Sequence, residues 1–176
     1  MPAGSGGRGY AAHVTTVEER LARLEAVEQI KALKYRYLRA CDGKRPEEFR
    51  ACFIADGAVV DYGPAIGQFV DADGIAAVFA HIALKRVDDK AVVLDMHHAV
   101  HPVIEVVSDS EATGAWSLRF RQIDLEARVE RVSAIEYDDR YVVEGGEWRV
   151  ARSEVNVLWT LEKPLPDGLK VTESFS

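Results

Sequence analysis

Residues 137–151 read YDDRYVVEGGEWRVA, a tight turn between two strands. Glu144-Gly145-Gly146-Glu147 is a hairpin turn between two strand-like runs. On its N-terminal side, 131–143 places Ile135, Tyr137, Tyr141 and Val143 on one face, the period of a strand. On its C-terminal side, Trp148 to Thr160 forms the partner, with Val155, Val157 and Trp159 sharing a face. Working outward, Ala112 to Ile123 alternates with Trp116, Leu118 and Phe120 on one side. Ser108-Asp109-Ser110 turns back to a further strand over roughly 92–106. The pattern predicts a run of antiparallel strands joined by tight turns.

The N-terminal half has the other period. Thr16 and Glu19 form a capping box. Val17, Leu21, Leu24, Val27, Ile30, Leu33, Tyr37 and Cys41 then recur every three or four residues, which predicts one long amphipathic helix ending near Gly43. Pro46 opens a short second helix, PEEFRACFI. Residues 58–62 and 66–70 read as short strands around the Gly63-Pro64 turn. Asp73 is expected to cap a third helix, DGIAAVFAHIALKR. Helices first and strands after predict an α+β domain. A strongly curved antiparallel sheet would wrap around the N-terminal helices and leave a cone-shaped interior for a small molecule. The expected division is a flexible leader at 1–13, one domain at 14–162 and a tail at 163–176.

Composition narrows the partners. The chain has 176 residues and 48% hydrophobic content, enough for one full core. No 18-residue apolar run exists, so no membrane-spanning helix is expected. The glycine-rich leader lacks the apolar segment of a signal peptide, which makes the cytoplasm the expected location. The formal charge of −7, with basic residues scattered among acids, argues against nucleic-acid binding. Gly4-Ser5-Gly6-Gly7-Arg8-Gly9 fits G-x-G-x-x-G literally, but no strand precedes it and no helix follows at once. Cys41 and Cys52 form no CxxC pair and read as reduced core residues.

Three of the five histidines fall in LDMHHAVHPVIEV, residues 94–106. In a strand, His97 and His101 would stand about 13 Å apart at roughly 3.3 Å per residue, too far to share an ion. His97 and His98 would point to opposite faces. No carboxylate or cysteine stands at a ligand spacing, so no metal site is expected. Residue pattern alone favours half-buried polar groups at a strand entrance. Asp42 raises a separate question. It closes the long helix, where the dipole disfavours a carboxylate by about 0.3–1 kcal/mol. It is either a solvated turn residue or a carboxylate stabilised by a partner cation. Tyr37 lies a turn and a half earlier and could border the same pocket.

At these residues the chain resembles the SnoaL-like branch of the NTF2-like superfamily, over roughly 17–160. Within it, the chain looks most like the bile acid 7α-dehydratases and more distantly like scytalone dehydratase and hexachlorocyclohexane dehydrochlorinase. The resemblance is carried by the helix end IKALKYRYLRACDGK, by MHHAVHPVIEV with SEATGAWSL, and by the 137–151 hairpin. It implies an NTF2-like cone and a cofactor-independent lyase. His97 and Asp42 would form a catalytic dyad beside Tyr37. Tyr62, His101, Trp116, Phe120 and Tyr137 would border a small hydrophobic substrate such as a steroid or polyketide. It also implies a homodimer or homotrimer. Departures from the family pattern stand at Gln122, Ile135, Tyr137, Phe120 and Val157, where the relatives carry polar or charged pocket residues. The dyad is kept while the recognition shell is not. An isomerase of the same chemistry, a non-catalytic binding protein and an oxygenase subunit are the alternatives.

Overall fold

In the computed structural model, which describes residues 16–64 and 66–172, the chain opens with helix α1, Val17–Asp42. The segment expected as a leader, with its Gly4–Gly9 match, lies outside the described residues. The capping box forms: the Glu19 amide donates to Thr16 Oγ1 at 3.1 Å, and the Thr16 amide donates to Glu19 Oε2 at 2.8 Å. Two otherwise unpaired amides are thereby satisfied. The apolar stripe divides into two parts. Ile30, Leu33, Tyr37, Leu38 and Cys41 are buried in the core, while Val17, Leu21 and Leu24 remain more than half exposed. Periodicity marks the face but cannot say how much of the helix the sheet covers.

Helix α2, Pro46–Arg50, is shorter than the expected segment. The chain leaves it to pair with a later strand: the Ile54 amide donates to the Val150 carbonyl and the Val150 amide to the Cys52 carbonyl. Phe49 and Phe53 stay inside, packed on Tyr37 with ring centroids 5.0 and 5.7 Å away. Strands β1, Val59–Asp61, and β2, Gln68–Val70, follow, then helix α3, Ala72–Ala83. Asp71, not Asp73, caps α3 by accepting from the Gly74 amide at 2.7 Å. Asp73 instead pairs with Arg50 on α2. A small hairpin of β3, Arg86–Val87, and β4, Lys90–Ala91, leads into the main sheet.

That sheet contains β5, Val93–Val106, β6, Glu111–Asp124, β7, Val129–Glu144, and β8, Glu147–Pro164. The strand order is β2-β1-β8-β7-β6-β5. The four long strands form the expected antiparallel meander. β1 joins β8 in parallel, Val59 opposite Arg152 and Asp61 opposite Glu154, which makes the sheet mixed. Register shifts interrupt β5 between Val100 and Val103, and the β7–β8 ladder at two places, where the extra residues Ala151 and Leu158 lie on β8. Such irregularities bend strands and strengthen twist, so the long strands curl around α1 and α3. The first shift also decides which residues face inward. Asp95, His97 and Ala99 are inward before it, Ile104 and Val106 after it, and His101 sits within it at φ 53°.

The inner face of β6 and β7 supplies Trp116, Leu118, Ile135, Tyr137 and Tyr141 to the core. Gly114 is needed there. An added Cβ would lie 2.9 Å from the Tyr141 ring and 3.3 Å from Trp116 Nε1. Cys41 and Cys52 are free and buried. β8 runs past the expected domain end to Pro164, and Leu165 is buried, its amide donating to the Arg128 carbonyl. Residues 166–172 are exposed. No described helix is long and apolar enough to cross a membrane.

Candidate active site

The end of α1 meets the start of β5 through one carboxylate. Asp42 Oδ1 lies 2.6 Å from His97 Nδ1. The His97 backbone amide also reaches Asp42 Oδ1 and Oδ2, at 3.1 and 3.2 Å. The unfavourable position of Asp42 on the helix dipole is thus offset by donors from a neighbouring strand. The backbone contact fixes the carboxylate, and the carboxylate fixes the ring. With Nδ1–H donated to Asp42, Nε2 is left as the basic nitrogen. Nε2 has no hydrogen-bond partner among the described residues, and His97 lines a cavity. Phe120, directly opposite on β6, packs on the imidazole with ring centroids 4.6 Å apart.

The cavity measures about 240 Å³. Ile66, Val78, Phe79 and Ile82 form one wall, and Ile135, Val155 and Val157 another. Its phenols are Tyr37 from α1, Tyr62 after β1 and Tyr137 from β7. Burial pushes all three pKa values above the ordinary tyrosine range; the neighbouring phenols Tyr62 and Tyr137 push Tyr37 further, and Cys41 and Tyr62 push Tyr137 further. They are therefore neutral near pH 7 and available as donors. Cys41, also on the wall, is held as a neutral thiol by burial. Cys52 is raised to about 11, again mainly by burial.

A second polar group shares the cavity. Asp95 precedes His97 by two residues and so faces the same side of β5. It pairs with Lys44, and its Oδ1 accepts from Gln122 Nε2 at 3.1 Å. Gln122 Oε1 in turn accepts from Arg131 at 3.2 Å. Both Asp95 and Gln122 line the cavity. Among the described residues, no lysine or arginine lines it.

Behind the phenols lies a sealed ion pair. Lys34 Nζ is 2.7 Å from Asp139 Oδ2, with both side chains at 1% exposure or less. Asp139 also accepts from Tyr141 Oη and Ser153 Oγ, each at 2.6 Å. The ammonium stands 3.7 Å from the Tyr137 ring centroid and 4.7 Å from that of Tyr37. Burial lowers the Lys34 pKa, with Asp139 opposing. Nothing in the local sequence pattern announces this pair. Its partners are 105 positions apart, and the one available signal was a charged residue at position 139, midway along the inward face of β7.

Several expected site residues do converge. Tyr37, Tyr62, His97, Phe120 and Tyr137 line one cavity, and Asp42 holds His97 from behind. Two do not. His101 is exposed, because the β5 bulge turns it out of the inward series. Trp116 is buried but spends its indole N–H on Tyr141 Oη at 3.0 Å and is not part of the cavity wall. His98 points outward, as alternation requires. A larger open groove of about 830 Å³ lies against the first half of α1. It is bordered by Glu18, Glu19, Arg23 and Asp109, and the dyad is not on its wall.

Comparison with solved structures supports the fold. A protein from Novosphingobium aromaticivorans, provisionally assigned as a scytalone dehydratase, superposes with a TM-score of 0.71 at 20% identity, over 86% of this chain and 99% of its own. A type 2 hexachlorocyclohexane dehydrochlorinase, LinA, gives 0.71 at 18% identity, over 85% and 99%. The LinA type 3 enzyme from Novosphingobium barchaimii gives 0.70 at 19% identity, over 88% and 99%. At such identities the likeness speaks for the fold alone. No curated protein sequence matches the chain. The family described as SnoaL-like domain matches residues 22–154, which takes in α1 from its second turn, the dyad and the 137–151 hairpin. The chain belongs to the SnoaL-like domain family, with the NTF2-like fold.

Proposed function

We propose that this protein is a cofactor-independent lyase that eliminates water from a small, hydrophobic, cyclic substrate. The observation that carries the reading is the 2.6 Å contact between Asp42 and the His97 ring on the wall of an apolar cavity. His97 Nε2 takes a proton from a carbon next to a carbonyl. That C–H electron pair becomes a carbon–carbon double bond as the C–O bond on the adjacent carbon breaks. The leaving hydroxide takes that proton from the His97 imidazolium and departs as water, which restores the neutral histidine. Asp42 stabilises the imidazolium formed meanwhile. Tyr37, Tyr62 and Tyr137, kept neutral by burial, supply hydrogen bonds to the developing oxyanion and the departing oxygen. A non-catalytic binding protein has no need of this contact, and its presence favours turnover.

Cavity size refines the substrate. About 240 Å³ falls below the roughly 300–1,000 Å³ of pockets that enclose drug-sized ligands. The enclosed part of the substrate is one or two rings, such as a polyketide-derived bicycle, rather than a four-ring steroid.

The test is turnover of a panel of one- and two-ring hydroxyketones, followed by absorbance of the new double bond. His97→Ala and Asp42→Asn should each slow it by about 10²–10⁴-fold. Full-rate elimination in both variants would overturn the dyad assignment. Proton exchange or double-bond migration without loss of water would identify the isomerase instead.

We also propose self-association as a homodimer or homotrimer. Leu158, Trp159 and Leu161 are each more than half exposed at the far end of β8. That stretch lies beyond the part of β8 that pairs with β1. A second copy of the chain is the proposed cover. Light scattering of wild type should give a multiple of the 19.5 kDa chain mass, and Trp159→Asp should reduce it.

A further inference from the structure

The polar end of the cavity has a definite hydrogen-bonding vocabulary. Gln122 is oriented by its two protein partners. Its Oε1 is taken by Arg131, so its Nε2 is the atom directed at Asp95. An amide nitrogen carries two hydrogens, and one remains uncommitted. Asp95 holds Lys44 on one oxygen and Gln122 on the other. A carboxylate offers about four lone-pair sites, so acceptor capacity also remains. The two side chains lie on directly paired residues of β5 and β6, and both line the cavity. Together they present one free donor beside one free acceptor.

We propose that Asp95 and Gln122 form a recognition clamp for a neutral hydroxyl on the substrate, distinct from the group eliminated at His97. A hydroxyl is both donor and acceptor, so it answers both atoms at once. A carboxylate has no proton for Asp95 and would meet its charge. Lys44 is committed to Asp95, the two side chains being 6% and 7% exposed, and does not line the cavity, so it is not offered to a ligand carboxylate. No described lysine or arginine on the cavity wall offers an alternative anion partner. The clamp therefore selects hydroxylated, uncharged rings and rejects acids. This inference rests on the cavity being the substrate site, as proposed above, but not on any turnover there.

The test is equilibrium dialysis of the full chain against naphthalene, 2-naphthol and 2-naphthoate near pH 7. These two-ring probes differ only in the group offered to the clamp. Wild type should bind 2-naphthol about tenfold more tightly than naphthalene, the scale of one or two well-placed hydrogen bonds, and 2-naphthoate more weakly than either. Gln122→Leu should bring 2-naphthol to within about threefold of naphthalene. Asp95→Asn should improve 2-naphthoate relative to 2-naphthol. Circular dichroism checks the fold of both variants, and Gln122→Leu alone decides the matter if Asp95→Asn does not fold. Equal binding of naphthol and naphthalene by wild type would overturn the clamp. So would naphthoate binding as tightly as naphthol, binding of none of the three, or a naphthol preference untouched in Gln122→Leu. Because binding is read without turnover, failure of the clamp and failure of the lyase reading are separately visible.

Discussion

Asp42 and Asp139 are both carboxylates bonded to a basic side chain from a distant part of the chain, yet they are suited to opposite tasks. Asp139 lies in a sealed site, with Lys34, Tyr141 and Ser153 occupying its oxygens. No proton can come or go without unpacking the core. Asp42 and His97 keep 24% and 12% of their side-chain surface exposed, and Nε2 has no protein partner among the described residues. An acid–base pair of this kind becomes chemistry only when one of its atoms is left unsatisfied beside a cavity. The Lys34 pair supports the tyrosine rings from below. The Asp42 pair acts on what lies among them.

The contrast can be broken most sharply at the two basic residues. His97→Ala should cost about 10²–10⁴-fold in kcat/KM, while its stability should fall by only about 0.5–3 kcal/mol, from the packing lost against Phe120. Urea denaturation beside the turnover assay measures both. Lys34→Met should behave in reverse. Leaving Asp139 without its cation should cost about 3–5 kcal/mol in urea denaturation, with a smaller effect on the rate per folded molecule. If Lys34→Met were as stable as wild type and inactive, the division of labour between the two pairs would be wrong.

Tyr37 lies between the two regions, above Lys34 and on the cavity wall. Tyr37→Phe keeps the ring and removes the donor. It should lower kcat about 10²-fold, the scale of a single lost oxyanion donor, and leave the urea midpoint close to wild type.

A smaller effect follows from pH. Burial raises the pKa of Tyr37, Tyr62, Tyr137 and Tyr141 in the folded chain, and Asp139 raises Tyr141 further. Unfolded tyrosine titrates near 10, so above that value the unfolded chain releases these protons first. The stabilisation is complete below about pH 10 and is lost as pH rises beyond it, by about 1.4 kcal/mol per pH unit for each buried tyrosine. Phenolate absorbance should therefore show the four buried rings ionising together with unfolding.

Much of this arrangement could be read from the residues. The capping box, the helical period and the Gly145-Gly146 turn are local signals, and each formed where the pattern placed it. Residue pattern alone leaves Asp42 and His97 open; the family resemblance pairs them, and Asp42, closing α1, reaches across to β5. Long-range choices left weaker traces. Nothing local tells Val59–Asp61 to join β8 in parallel, or tells Val17 and Leu21 that the sheet stops short of them. His101 follows the strand alternation on paper, and only the bulge before Pro102 turns it to solvent. Lys34 looked like one more polar residue on a helix. Its role depends on Asp139, Tyr137 and Tyr141, brought to it by three-dimensional packing alone.

In the proposed chemistry Asp42 holds His97 with its proton on Nδ1 and its basic Nε2 toward the cavity. Histidine ring ¹⁵N NMR at a pH where the imidazole is neutral tests it without a substrate. Wild type should show His97 as the Nδ1–H tautomer, and Asp42→Asn should lose that preference. An Nε2–H tautomer in wild type, or a spectrum unchanged by Asp42→Asn, would contradict it.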